Sequence, residues 1–138
     1  MITRDILNAV FNAESVAVVG ASANPDKIGH QILKNLIGGG YAGALYPVNP
    51  KADAILGRTC TADLGSIPGD LDLVVICVPA AAVPETMRLA AKKHAKGAVI
   101  ISGGFREIGN AKLEEEVMRI ASDHDIAVIG PNCQGINY

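Results

Sequence analysis

The run Ser15-Val16-Ala17-Val18-Val19 is apolar after its first residue, shows no polar alternation, and leads straight into Gly20-Ala21-Ser22. A strand without alternation has to be covered on both faces, which calls for a parallel sheet held between helices. Four more apolar runs follow at Ala44 to Val48, Leu71 to Val78, Gly97 to Ile101 and Ile126 to Ile129. The stretches between them carry apolar residues at helical spacing: Ile28, Ile32, Leu33, Leu36 and Ile37, then Val83, Met87, Ala90 and Ala91, then Leu113, Val117, Ile120 and Ala121. A further helix capped by Thr3, with Ile6, Leu7, Val10 and Phe11 on one stripe, precedes the first strand. Repeated strand and helix units need right-handed crossovers, so the expected fold is α/β, a Rossmann-like doubly wound parallel sheet of about five strands with helices on both faces.

Punctuation supports the division. Gly38-Gly39-Gly40 closes one helix, Pro50 stops the second strand because proline cannot donate to a ladder, and Thr61 to Leu64 reads as a single helical turn. The face Glu114-Glu115-Glu116 is assigned to solvent, and His30, His94 and His124 all fall within predicted helices as structural or surface residues.

The 138 residues fit one domain spanning 1–138. With 19% charged residues, a net charge of -2, 4% aromatic residues and no Trp, the chain has neither the basic surface nor the stacking platforms of a nucleic-acid binder. Cys60, Cys77 and Cys133 are odd in number, far apart and form no C-x-x-C pair, so neither a disulfide framework nor a zinc site is supported and the reducing cytoplasm is the expected compartment. Cys77 reads as a small buried hydrophobe in the third strand, and Cys133 as part of a turn. No apolar run approaches the roughly 20 residues needed to span a bilayer, so no membrane partner is expected.

In doubly wound sheets the ligand lies beyond the carboxyl ends of the strands. The special turns here, Gly20 to Gly29, Asn49 to Lys51, Val78 to Ala82 and Ser102 to Gly104, all lie at such ends and should converge on one crevice. A dinucleotide site would need G-x-G-x-x-G after the first strand and an acid at the end of the second. Ser22 stands where the second glycine should be, and Asn49-Pro50-Lys51 stands where the acid should be. A lysine there suits a phosphorylated ribose or a pyrophosphate better than a free diol.

Five segments in order, Ser15 to Ser22, Tyr46 to Lys51, Val78-Pro79, Ile101 to Phe105 and Gly130-Pro131-Asn132-Cys133-Gln134-Gly135, resemble the CoA-binding domain of the NDP-forming (ADP-forming) acyl-CoA synthetases, relatives of the succinyl-CoA synthetase α subunit. The resemblance implies that coenzyme A lies over Gly20, Ala21, Ser22, Lys27, Ile28 and Gly29, with Lys51 at a phosphate beside Asn49 and Pro50. It also implies that Val78, Pro79 and Ala80 line the adenine, and that Ser102, Gly103 and Gly104 line the pantetheine arm. The fourth loop departs from the Thr-Glu-Gly of succinyl-CoA synthetase and matches the single-chain acyl-CoA synthetases.

The implied function is to hold CoA for thioester formation through an acyl phosphate on a neighbouring domain. In the family the phosphohistidine and ATP-grasp domains lie elsewhere, so no residue here is assigned as catalytic, none as a metal ligand, and this chain is expected to be a domain excised from a longer protein. A free-standing CoA-binding sensor or carrier is the alternative, with an NAD-binding redox domain ranked last. Replacing Gly29 by valine is expected to crowd the helix start and weaken ligand binding with the fold retained.

Overall fold

A computed structural model describes residues 12–101 and 111–129. The parallel sheet is built from β1 (Ser15–Val19), β2 (Ala44–Val48), β5 (Leu73–Ile76), β6 (Gly97–Ile100) and β7 (Ala127–Ile129), in the order β2-β1-β5-β6-β7. Chain order therefore runs outward one way from β1 to β2 and then the other way through β5, β6 and β7. Of the two doubly wound patterns this is the flavodoxin-like one, with its switch point between β1 and β5. A two-residue-per-strand antiparallel hairpin, β3 (Ala54–Ile55) and β4 (Arg58–Thr59), stands apart from the main sheet and turns through Leu56 and Gly57, both at positive φ.

The unbroken apolarity of the strands is explained by two cores. One face of the sheet contributes Val16, Val18, Leu73 and Val75, which pack with Ile32, Leu33 and Leu36 of α1 (Ile28–Gly38). The other contributes Ala17, Val19, Val74 and Ile76, which pack with Val83, Met87 and Ala90 of α2 (Val83–Lys92) and with Val117, Ile120 and Ala121 of α3 (Ala111–Asp123). Arg88 ties the two helices of that second layer together, pairing with Glu85 at 3.4 Å on its own helix and with Glu116 on α3.

The three α-helices among the described residues end the same way. Gly40 (φ 78°), His94 (φ 58°) and Asp125 (φ 55°) adopt the left-handed conformation. The next N–H then returns to a carbonyl five residues back: Tyr41 to Leu36, Ala95 to Ala90, and Ile126 to Ala121. This is the Schellman closure, and the buried residue that follows each turn seals it against the core.

Several boundaries differ from the sequence reading. The third main-sheet strand is four residues long rather than eight, because the N–H of Leu71 bonds to the carbonyl of Lys93 and that of Asp72 to the hydroxyl of Ser15, leaving neither for the ladder. Cys77 lies past the strand's end, half-buried, where its N–H still reaches the Val19 carbonyl at 2.8 Å. The last strand begins at Ala127 rather than Ile126, whose N–H is spent on closing α3. Only the first of the three histidines lies inside a helix: His94 and His124 sit just beyond helix ends, exposed. Of the three consecutive glutamates only Glu115 is fully exposed, since Glu116 holds Arg88 and one carboxylate oxygen of Glu114 is buried. The helix expected over Thr3 to Phe11 and the turn containing Cys133 lie outside the described residues.

Candidate ligand site

The switch point opens at the carboxyl ends of β1, β2 and β5, where Gly20 occupies the centre. Its N–H continues the ladder to the Val48 carbonyl at 3.3 Å. Its φ is +92°, and a Cβ there would come within 2.8 Å of the Cys77 carbonyl oxygen, so both conformation and space demand glycine.

From Gly20 the chain makes a loop stapled by its own short side chains. The Ser22 hydroxyl accepts from the N–H of Asn24 at 3.0 Å, and the Asn24 carbonyl group of the side chain accepts from the N–H of Asp26 at 3.0 Å. The Asn24 backbone carbonyl takes the Lys27 N–H at 3.0 Å. Two longer-range contacts fix the loop's base: Asn49 Nδ2 donates to the Ala21 carbonyl at 2.8 Å, and His30 Nδ1 to the Ser22 carbonyl at 2.8 Å. A carbonyl oxygen can only accept, so Nδ1 of this buried histidine carries the proton. His30 thus has a structural role, bracing the loop from within α1.

Helix α1 begins where the loop ends. Lys27 is its N-cap residue, no side chain caps the free N–H groups, and no acid lies in the first turn, which leaves the positive end of the helix available to an anion. Gly29 fits against the preceding turn so closely that a Cβ would lie 2.1 Å from the Gly20 carbonyl oxygen. The expectation that Gly29→Val would leave the fold intact is therefore revised. This glycine seats the helix on the turn, and a side chain would drive backbone from backbone.

The end of β2 is organised by Asn49. Besides holding Ala21, its Oδ1 accepts from the N–H groups of Lys51 at 2.7 Å and Ala52 at 3.0 Å. Its own N–H bonds to the Thr61 carbonyl at 2.9 Å, drawing the segment after β4 up beside the sheet. Thr61 to Leu64 then leads into a 3-10 turn over Leu64–Ser66, which starts three residues later than the turn read from the sequence, with Asp63 as its cap.

Between these parts lies a cleft of about 180 Å³. Five residues singled out from the sequence form part of its wall: Gly20, Ala21, Asn49, Pro50 and Val78. Ser22, Lys27, Lys51 and Pro79 lie outside that wall in the flanking loops, as do Ile28 and Gly29 at the start of α1 and Ala80 in a 3-10 turn. Ser102, Gly103 and Gly104 lie outside the described residues. The rest of the wall escaped the sequence reading: Val19, Val48, Ala62, Asp63, Leu64, Thr86 and Leu89. Thr86 and Leu89 come from one face of α2, and Thr86 donates its hydroxyl to the Ala82 carbonyl at 2.9 Å. Among the described residues no group of three or more His, Cys, Asp or Glu side chains could hold a metal, and no helix is long and apolar enough to cross a membrane.

Residues 14–138 match the family model described as the CoA binding domain. The chain belongs to the CoA-binding domain family. The CoA-binding domain is 46% identical over 130 residues to the acetate–CoA ligase [ADP-forming] of Methanocaldococcus jannaschii, covering 94% of this chain and 18% of that protein. It superposes with a TM-score of 0.83 on acetyl-coenzyme A synthetase 1 of Ca. Korarchaeum cryptofilum, solved with phosphate and ADP, at 44% identity over 91% of this chain and 27% of that one. A hypothetical protein of Pyrococcus horikoshii matches at a TM-score of 0.76 and 27% identity, covering 94% of this chain and 84% of that one. The CoA-binding domain therefore spans less than a third of the ligase and synthetase it matches.

Proposed function

We propose that this domain binds coenzyme A and presents its thiol to an acyl phosphate carried by the phosphohistidine and ATP-grasp parts of an ADP-forming acyl-CoA synthetase. The observation that carries the reading is the uncapped start of α1, with Lys27 at its cap and no acid in its first turn, set against the glycine-lined end of β1. That arrangement suits a pyrophosphate: backbone N–H groups and the helix dipole face an anion, on a turn that Gly20 and Gly29 pack tightly against its own backbone. The end of β2 speaks against a dinucleotide with free ribose hydroxyls, because Asn49 stands there with its amide committed to main-chain groups.

In this reading the domain's contribution is orientation. The stapled loop and α1 would hold the nucleotide end of CoA so that the flexible arm reaches the reacting partner, converting a collision into a positioned encounter. The match to the ligase of Methanocaldococcus jannaschii and the synthetase of Ca. Korarchaeum cryptofilum supports placing the domain in such an enzyme. A self-contained CoA-binding sensor or carrier is the second reading, favoured by the Pyrococcus horikoshii protein, most of whose length this domain covers.

Calorimetric titration with CoA, NAD and ADP tests the ligand. CoA binding, with ADP competing weakly for the same cleft and NAD absent from it, is the expected result. NAD binding in place of CoA would overturn the assignment.

A further inference from the structure

Among the described residues Asp63 is the one acidic side chain in the wall of a cleft that otherwise presents mainly aliphatic groups, among them Val48, Pro50, Leu64, Val78 and Leu89. Its two oxygens have different duties. Oδ1 accepts from the N–H of Ser66 at 2.9 Å and from the Ser66 hydroxyl at 3.0 Å, which caps the 3-10 turn and fixes the carboxylate in place. Among the described residues no hydrogen bond is made to Oδ2. The cap needs only one acceptor, and a serine or asparagine would supply it. The second oxygen is what an aspartate adds.

At about 180 Å³ the cleft is smaller than the ~300–1,000 Å³ of sites that enclose a whole small molecule. It suits one flat ring system, with the remainder of the ligand lying over the loop and α1. Walls of proline and branched aliphatic side chains favour the faces of such a ring, and a single immobilised anionic acceptor at its rim favours an N–H donor on its edge. The same carboxylate repels phosphate, which keeps the anionic part of the ligand at the Lys27 end.

We infer that Asp63 reads the 6-amino group of the adenine ring, accepting its N–H through Oδ2 and rejecting purines that carry a carbonyl oxygen at that position. The inference rests on the CoA reading above, and it makes Asp63 a specificity-determining residue.

The test compares CoA with its hypoxanthine analogue, in which a carbonyl oxygen replaces the amino group with little change of shape, on the wild-type domain and on Asp63→Asn and Asp63→Ser. Both variants keep an acceptor for Ser66, and thermal unfolding checks that they remain folded. The wild type should prefer CoA by on the order of tenfold or more, the worth of one hydrogen bond to a charged group. Asp63→Ser should bind the two ligands about equally. Asp63→Asn, which offers an N–H where Oδ2 stood, should reverse the preference. Equal binding of both ligands by the wild type, or an unchanged preference in the variants, would overturn the role of Asp63 while leaving CoA binding intact. Failure of the wild type to bind either ligand would overturn both readings.

Discussion

Asn49 holds Ala21 across 28 residues of chain, its Nδ2 donating to the Ala21 carbonyl oxygen at 2.8 Å while its Oδ1 receives two N–H groups from the turn after β2. One side chain thus joins the two loops that flank the cleft. Asn49→Asp keeps the acceptor but sets an oxygen against the Ala21 carbonyl. A loss of about 1–3 kcal/mol is expected from the broken and opposed hydrogen bond, read from urea unfolding. CoA affinity should fall as well, since the loop is no longer tethered.

Gly29→Ala inserts a methyl group where the Gly20 carbonyl oxygen lies 2.1 Å away. The backbone contact cannot yield as a side chain could, and overpacking of this kind typically costs ~1–3 kcal/mol. Denaturant unfolding should show the loss, and CoA binding should weaken with it because the helix start is displaced from the turn.

Lys51 stands exposed next to Pro50 of the cleft wall. Lys51→Ala is expected to weaken CoA more than dephospho-CoA in parallel titrations, as befits a cation meeting the 3′-phosphate. Equal losses would place the lysine at the pyrophosphate.

Asp125 closes α3 with φ at 55°. A left-handed residue other than glycine is strained by about 1–2 kcal/mol, part of which glycine's greater freedom in the unfolded chain gives back. Asp125→Gly should raise stability by roughly 0.5–1 kcal/mol, measured as a higher urea midpoint at constant slope.

Burial pushes the Cys77 thiol up from 9.0 to about 12. The Tyr41 hydroxyl, which donates to the Ala13 carbonyl at 2.6 Å, is raised from 10.0 first by burial and then by Asp72 and Glu14. Both groups are kept protonated by the fold, whereas in the unfolded chain they ionise at their ordinary values. The Cys77 contribution is complete well below 9.0 and is lost as pH rises from there towards about 12, and the Tyr41 contribution is lost as pH rises above 10.0. Unfolding free energy should decline over that alkaline window, and Cys77→Ala should make the decline shallower.

The sheet was legible because its strands are apolar on both sides: β1 and β2 have the limits that composition and proline placement indicate. Of the glycines in the singled-out turns, Gly20 lies in the wall of the cleft. What could not be read depends on where separate elements meet. Thr86 and Leu89 sit on an amphipathic helix whose inward face looks the same in sequence whether it covers core or ligand. Asp63 follows a hairpin of two-residue strands, too short for any periodic signal, and nothing local shows that Asn49 would draw that segment to the cleft. His94 and Asp125 continue a helical pattern by type, and only the return hydrogen bonds that close each helix place them outside it.

The seating of Gly29 on Gly20 also bears on the thermodynamics of recognition. Ordering a free backbone residue costs about 1–2 kcal/mol, and a loop that had to gather itself around a guest would surrender that sum for each residue it fixed. Here the interval from Gly20 to Gly29 is already wedged at both ends and pinned at Ser22 and Asn24. Its disorder was given up when the polypeptide folded. Ligands are therefore sorted by a shape that precedes them, and the protein's own share of the entropic toll on association is small.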